Sequence, residues 1–319
     1  MTTTSSLAFI FPGQGSQQVG MLGDFYQTDA IVAQTFSQAG EVLGYDLWNL
    51  IQAGPQDKLN MTEVAQPALL ASSVALWRLW MKRNGPQPAM LAGHSLGEWS
   101  ALVCAEVVAF EDAIKLVRLR GKYMQEAVPA GVGAMAAVLG LADDVVEHIC
   151  RELSNDDDHC VVPVNYNSPG QLVIAGHQAA VDLAIEKCKE AGAKRALLLQ
   201  VSAPFHTTLM KPAAERLAKD LDSVTFNAPK IPVIHNVDAA PEMDPASIKQ
   251  TMIEQIYSPV KWVDCVNQLK HSGISHLIEC GPGKVLTGLT KRIDRTFTAS
   301  HLDSLGSLEE AVTSATNQE

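Results

Sequence analysis

The chain holds 319 residues, enough for two domains of about 150 residues each or for one large domain that carries an insertion. Hydrophobic residues make up 47% of it and charged residues 18%, a balance that excludes a disordered chain; the longest nearly apolar stretches, 99–110 and 131–142, are too short for the ~20 residues of a membrane-spanning helix. A formal net charge of −11 argues against a nucleic-acid partner, because phosphate binding requires a basic surface.

Residues 1–6 lack the basic start and apolar block of a secretion signal, which points to a cytoplasmic protein. Leu7-Ala8-Phe9-Ile10-Phe11 is a short apolar run ending in Pro12-Gly13-Gln14-Gly15-Ser16, and it reads as a buried strand entering a glycine loop. Helical periodicity follows around 30–43 and 63–82. Gly85-Pro86-Gln87-Pro88 breaks the chain before a second buried strand, Ala89-Met90-Leu91-Ala92, which runs directly into Gly93-His94-Ser95-Leu96-Gly97. With helices expected at 96–105 and 111–126, this first third alternates strand and helix as parallel α/β folds do. From about Gly131 the texture changes to strand 133–139, helix 142–153, strands 160–167 and 170–176, helix 178–191 and strand 194–201. That β-α-β-β-α-β order is a ferredoxin-like module. It is expected as an insertion, 129–202, into an α/β core made of 1–128 and 203–319, which closes with strand 274–279 and helix 284–292. The boundary should line a cleft, since ligand sites favour domain interfaces. Six cysteines, at 104, 150, 160, 188, 265 and 280, are scattered without paired spacing, so neither a disulfide frame nor a zinc site is suggested.

Gly93-x-Ser95-x-Gly97 sits between a short apolar strand and an amphipathic helix, the setting of a nucleophile elbow. There the glycines remove side chains from a tight turn, and the N–H of Leu96 together with the helix dipole can hold a developing oxyanion. A serine hydroxyl needs a base. Of nine histidines, His206 in Ser202-Ala203-Pro204-Phe205-His206 is the best placed, in a proline-stiffened loop where the chain re-enters the core. His94 adjoins the serine but reads as a structural or supporting residue. With an ordinary pKa near ~6.5, a His206 base predicts that the reaction weakens as pH falls through roughly 6 to 7. Acids lying between serine and histidine (Asp143, Asp144, Asp156 to Asp158, Asp182) all fall in the insertion. A dyad oriented by an amide or backbone carbonyl is therefore as good an expectation as a triad. Gly13-Gln14-Gly15 lacks the third glycine of a dinucleotide loop, and Gly281-Pro282-Gly283-Lys284 is followed by valine, so nucleotide cofactors are not expected. The Gln14 loop is either a plain turn or the source of a second oxyanion N–H. On helix 111–125, Ala113, Leu116, Val117, Arg120 and Met124 share one stripe, opposite Lys115, Arg118 and Lys122. Arg120 therefore points inward. It requires an anion, either an internal carboxylate such as Glu98 or a substrate carboxylate held in a bidentate fork.

Phe11-Pro12-Gly13-Gln14-Gly15-Ser16-Gln17, Gly93-His94-Ser95-Leu96-Gly97-Glu98, Arg120-Gly121, Phe205-His206 and Glu279-Cys280-Gly281-Pro282-Gly283, in this order, resemble the bacterial malonyl-CoA:acyl carrier protein transacylases of fatty acid synthesis. The resemblance runs from the first strand to Arg292. It implies a hydrolase-like core with a ferredoxin-like insertion, Ser95 as nucleophile and His206 as base. It also implies Gln255 as the residue whose main-chain carbonyl orients the imidazole, oxyanion N–H groups from Leu96 and Gln14, Arg120 as the malonyl-carboxylate clamp, and a pocket-lining Gln66. Phe205 resembles the malonyl-selective form, its ring narrowing the pocket. Cys280 stands where an aliphatic residue is usual. The implied substrates are malonyl-CoA, with CoA leaving, and holo-acyl carrier protein, with no resident cofactor or metal, no nucleic-acid or membrane partner, and a monomer in action. Because acyl carrier proteins are acidic, docking would use a local basic patch, with Lys194-Arg195, Lys211, Lys284, Lys291-Arg292 and Arg295 as candidates.

Overall fold

The computed structural model describes residues 3–154, 159–201 and 203–316. Among the described residues nine strands are formed: β1 (Thr3–Phe11), β2 (Gln87–Gly93), β3 (Gly133–Leu139), β4 (Val161–Ser168), β5 (Gln171–His177), β6 (Arg195–Leu198), β7 (Val233–Ile234), β8 (His276–Glu279) and β9 (Thr298–His301). They divide into two sheets. One is parallel, in the order β7-β2-β1-β8-β9, and the other antiparallel, in the order β4-β5-β3-β6.

The central strand β1 is apolar without alternation because helices cover both faces of a parallel sheet; Leu7 through Phe11 are all buried. Its register aligns Phe11 with Gly93 and Ile10 with Glu279. The loops leaving β1, β2 and β8 therefore emerge together at the carboxyl edge, where open α/β sheets bind ligands. Two helices pack near this edge. Helix Thr62–Lys82 is buried on most sides, and helix Phe110–Glu126 buries Ala113, Leu116, Val117, Arg120 and Met124 while Lys115, Arg118 and Lys122 stay exposed.

The antiparallel sheet is the expected β-α-β-β-α-β unit. Helices Asp143–Leu153 and Gln178–Glu190 cover one face around a separate core that includes Val146, Ile149, Ile174, Val181 and Ile185. Its other face joins the main core through Met135, Val173 and Ala175. The two parts are also stitched by backbone: Tyr166 N–H donates to the Val260 carbonyl at 3.0 Å, and Val260 N–H to the Val164 carbonyl at 2.8 Å. The strand expected at 194–201 stops at Leu198; Leu199 N–H still donates to the Met135 carbonyl at 2.9 Å, and residues 199–201 line the cleft. Among the described residues no helix is long and apolar enough to cross a membrane, and no group of His, Cys, Asp and Glu could hold a metal ion. Among the described residues no disulfide joins two cysteines.

Candidate active site

The turn after β2 is forced into an unusual backbone. Ser95 has φ 51° and ψ −106°, a conformation costly for any residue with a side chain and typical of strained functional turns. Glycines flank it for a steric reason. A Cβ on Gly93 would lie 2.0 Å from the Gly97 carbonyl carbon, and one on Gly97 would lie 2.0 Å from the Phe11 carbonyl oxygen. The turn is therefore pressed against the end of β1. Ser95 N–H donates to Asn236 Oδ1 at 2.7 Å, while Leu96 opens helix Leu96–Cys104. The next two N–H groups, of Gly97 and Glu98, donate to the His94 and Ser95 carbonyls at 2.9 and 3.1 Å, so the Leu96 N–H is the first of the helix left to face the cleft.

Ser95 Oγ lies 2.8 Å from His206 Nε2, and His206 Nδ1 lies 2.9 Å from the Gln255 carbonyl oxygen. A carbonyl can only accept, so Nδ1 carries the proton and Nε2 presents its lone pair to the serine hydroxyl. No acid takes part in this arrangement among the described residues. Asp143 accepts from the Gly170 N–H and Asp182 from Gln178, both within the insertion; Asp156 to Asp158 and Ser202 lie outside the described residues. His94 donates from Nε2 to Asn167 Oδ1 at 2.8 Å, which ties the elbow to the insertion. The pH expectation needs correction. Burial, with the Arg120 charge nearby, lowers the His206 pKa to about 3, against a smaller opposing effect of the Gln255 carbonyl.

Arg120 is 1% exposed. Its Nη1 donates to Gln66 Oε1 at 2.9 Å, and its Nη2 donates to Gln255 Oε1 at 2.9 Å and to Ser95 Oγ at 3.3 Å, while the buried Nε has no described partner. Glu98, the internal carboxylate open to it on sequence grounds, does not touch it. Glu98 is itself buried and instead accepts from His235 Nδ1 at 2.6 Å, the Asn236 N–H at 3.0 Å and Gln255 Nε2 at 2.8 Å. Desolvation lowers the Arg120 pKa to about 10, with Glu98 acting the other way, so the guanidinium is a cation at neutral pH. A buried cation facing neutral oxygens is a prepared anion site.

These groups open onto a cleft of about 510 Å³ between the two sheets, lined by Gln14, Gln66, Ser95, Leu96, Arg120 and Met124 from the core and by Met135, Asn165 and Leu199 from the insertion, with Phe205 and His206 at the junction. An acyl transferase domain model matches residues 8–317. The malonyl CoA-acyl carrier protein transacylase of Salmonella typhimurium is 54% identical over 309 residues, covering 97% of this chain and 99% of that protein. The Staphylococcus aureus (strain MRSA252) protein of the same name is 44% identical over 301 residues, covering 94% and 96%. An acyl carrier protein S-malonyltransferase from Vibrio cholerae, solved as a crystal structure, superposes with a TM-score of 0.93 at 57% identity, covering 96% of this chain and 99% of that one. A malonyl-transacylase in complex with a type II PKS acyl-carrier protein gives a TM-score of 0.95 at 50% identity, covering 97% and 99%. The chain belongs to the malonyl-CoA:acyl carrier protein transacylase family.

Seen as a transacylase site, the arrangement includes residues that sequence reasoning did not single out. Asn236 holds the elbow from below, its Oδ1 on Ser95 N–H and its Nδ2 donating to the Gly93 carbonyl at 2.7 Å. Its only sequence signal is a polar His235-Asn236 pair after a strand of two residues, too short to be recognised by periodicity. Glu98 was visible as part of the elbow motif, but its partners come from segments 137 to 157 residues away. The basic candidates are in part engaged otherwise: Arg292 bonds Gln171 of the insertion, and Lys211 lies over the Tyr257 ring.

Proposed function

We propose that Ser95 is the nucleophile and His206 its base in the transfer of a malonyl group from malonyl-CoA to the phosphopantetheine thiol of acyl carrier protein, the step that supplies fatty acid synthesis. Ser95 Oγ attacks the thioester carbonyl while His206 Nε2 takes its proton, and the oxyanion is held by the N–H groups of Leu96 and Gln14. The intermediate collapses, the C–S bond breaks, and His206 returns the proton to the departing CoA thiolate. The malonyl-serine ester then meets the carrier thiol, and the same steps run in reverse, giving ping-pong kinetics. Arg120 holds the free malonyl carboxylate throughout, backed by Gln66, and Phe205 narrows the pocket beside the acyl group. The backbone carbonyl of Gln255 keeps the imidazole in the tautomer that accepts at Nε2.

The observation that carries this reading is Arg120: a buried guanidinium next to the serine hydroxyl, with uncharged partners only among the described residues. A serine esterase or thioesterase would use the same serine and histidine but has no need of such a cation, and it would release free acid. The reading includes the division into a core of 1–128 and 203–319 with an inserted 129–202, which the two separate sheets support, a cytoplasmic location, and action as a monomer without a resident cofactor. Intact-mass measurement after incubation with malonyl-CoA tests it. The wild-type chain gains one malonyl group and Ser95→Ala gains none. An adduct on Ser95→Ala, or free malonate released without any adduct, overturns it.

A further inference from the structure

The side-chain amide of Gln255 has only one orientation open to it. Its Nε2 faces two acceptors, the Ser95 carbonyl at 3.0 Å and Glu98 Oε2 at 2.8 Å, while its Oε1 faces Nη2 of Arg120 at 2.9 Å. A guanidinium only donates, and a carboxylate and a carbonyl only accept. Turning the amide over would set NH₂ against NH₂ on one side and oxygen against oxygen on the other. Glu98 is in turn immobilised, with no exposed surface and with His235 and Asn236 on its two oxygens.

We propose that Glu98 and the Gln255 side chain are positioning residues for the malonyl carboxylate: Glu98 fixes the Gln255 amide, and the amide holds the Arg120 fork beside Ser95. This deepens the malonyl-transfer reading and rests on it. Gln255 then has two separate duties. Its backbone carbonyl orients the imidazole, and its side chain orients the guanidinium, so one residue sets the spacing between base and clamp. Gln66 on Nη1 makes the second fixed point. With both ends of the fork pinned, the long 3.3 Å contact from Nη2 to Ser95 Oγ is the one that an incoming carboxylate replaces at least cost.

The test compares kcat and KM for malonyl-CoA and acetyl-CoA in four forms of the full chain: wild type, Gln255→Met, Glu98→Met and Glu98→Gln. Gln255→Met keeps the backbone carbonyl and the side-chain length but removes the amide. It should lower the malonyl-to-acetyl ratio of kcat/KM by about tenfold or more, mainly through a raised malonyl-CoA KM, as expected when a charged donor loses its acceptor. Glu98→Met should do the same. Glu98→Gln, whose oxygen can still accept from Gln255 Nε2, should recover most of the ratio lost in Glu98→Met. A parallel fall for both acyl groups, a Gln255→Met ratio within about threefold of wild type, or no recovery in Glu98→Gln overturns the proposal; if Glu98→Met does not fold, Gln255→Met alone decides. A wild-type chain that gains no malonyl adduct removes the underlying reading instead, so the two failures are told apart.

Discussion

His206 is neutral at rest because its ring is buried beside a cation, and that sets the sign of its pH dependence. A base works only when unprotonated. With its pKa lowered to about 3, the imidazole stays unprotonated from pH 7 down to 5, so kcat/KM for malonyl-CoA should be flat across that range; a fall centred between 6 and 7 would show a solvated imidazole of ordinary pKa. Arg120 supports a second prediction. In Arg120→Ala the substrate carboxylate enters a dry site unpaired, at a cost of about 2 to 5 kcal/mol, or roughly thirty-fold to several-thousand-fold in malonyl kcat/KM. Acetyl-CoA carries no such charge, so the malonyl-to-acetyl ratio should collapse. Equal declines with a lowered thermal midpoint would mean a structural role only. Helical spacing alone made the inward direction of Arg120 legible. It could not reveal that Glu98 is taken by His235, Asn236 and Gln255, because those contacts close over long stretches of chain.

The strand-turn-helix element around Ser95 depends on close contact between backbones. Gly97→Ala would bring a methyl group to 2.0 Å from the Phe11 carbonyl oxygen, and overpacking of this kind costs about 1 to 3 kcal/mol or more. The thermal midpoint should drop, and malonyl adduct formation should be lost with it. Gly288 is the natural control: it lies in helix Val285–Ile293 with open space around it, so Gly288→Ala should be neutral or stabilise by about 0.5 to 1 kcal/mol. If both substitutions leave the midpoint unchanged, the steric account of the elbow fails. Elements of strong periodicity were legible almost to the residue, including Ala30–Leu43 and Gly133–Leu139. The stretch between the insertion and β8 was not. Its strand β7 has two residues, too few to show a period, and its helices, such as Lys211–Leu221 and Trp262–His271, are separated by loops and short turns while their apolar faces build the core.

At the scale of the molecule, two sheets with largely separate cores share one cleft, an arrangement that the β-α-β-β-α-β order in the sequence announced. The stitch through Val260 was not legible, since backbone pairing between distant segments leaves no mark in composition. It predicts that the amides of Tyr166 and Val260 exchange with solvent as slowly as those of β1, and together. Exchange of Tyr166 at the rate of a surface loop would mean that the insertion opens on its own. Val260 lies five residues beyond Gln255, the anchor of the imidazole and, by the proposal above, of the fork. A swing of the insertion away from the core would drag that anchor and spoil the alignment of Ser95 and His206. By this account the cleft is a slot of fixed gauge rather than a jaw, one that a slender thioester arm would enter end-on without a hinge opening first.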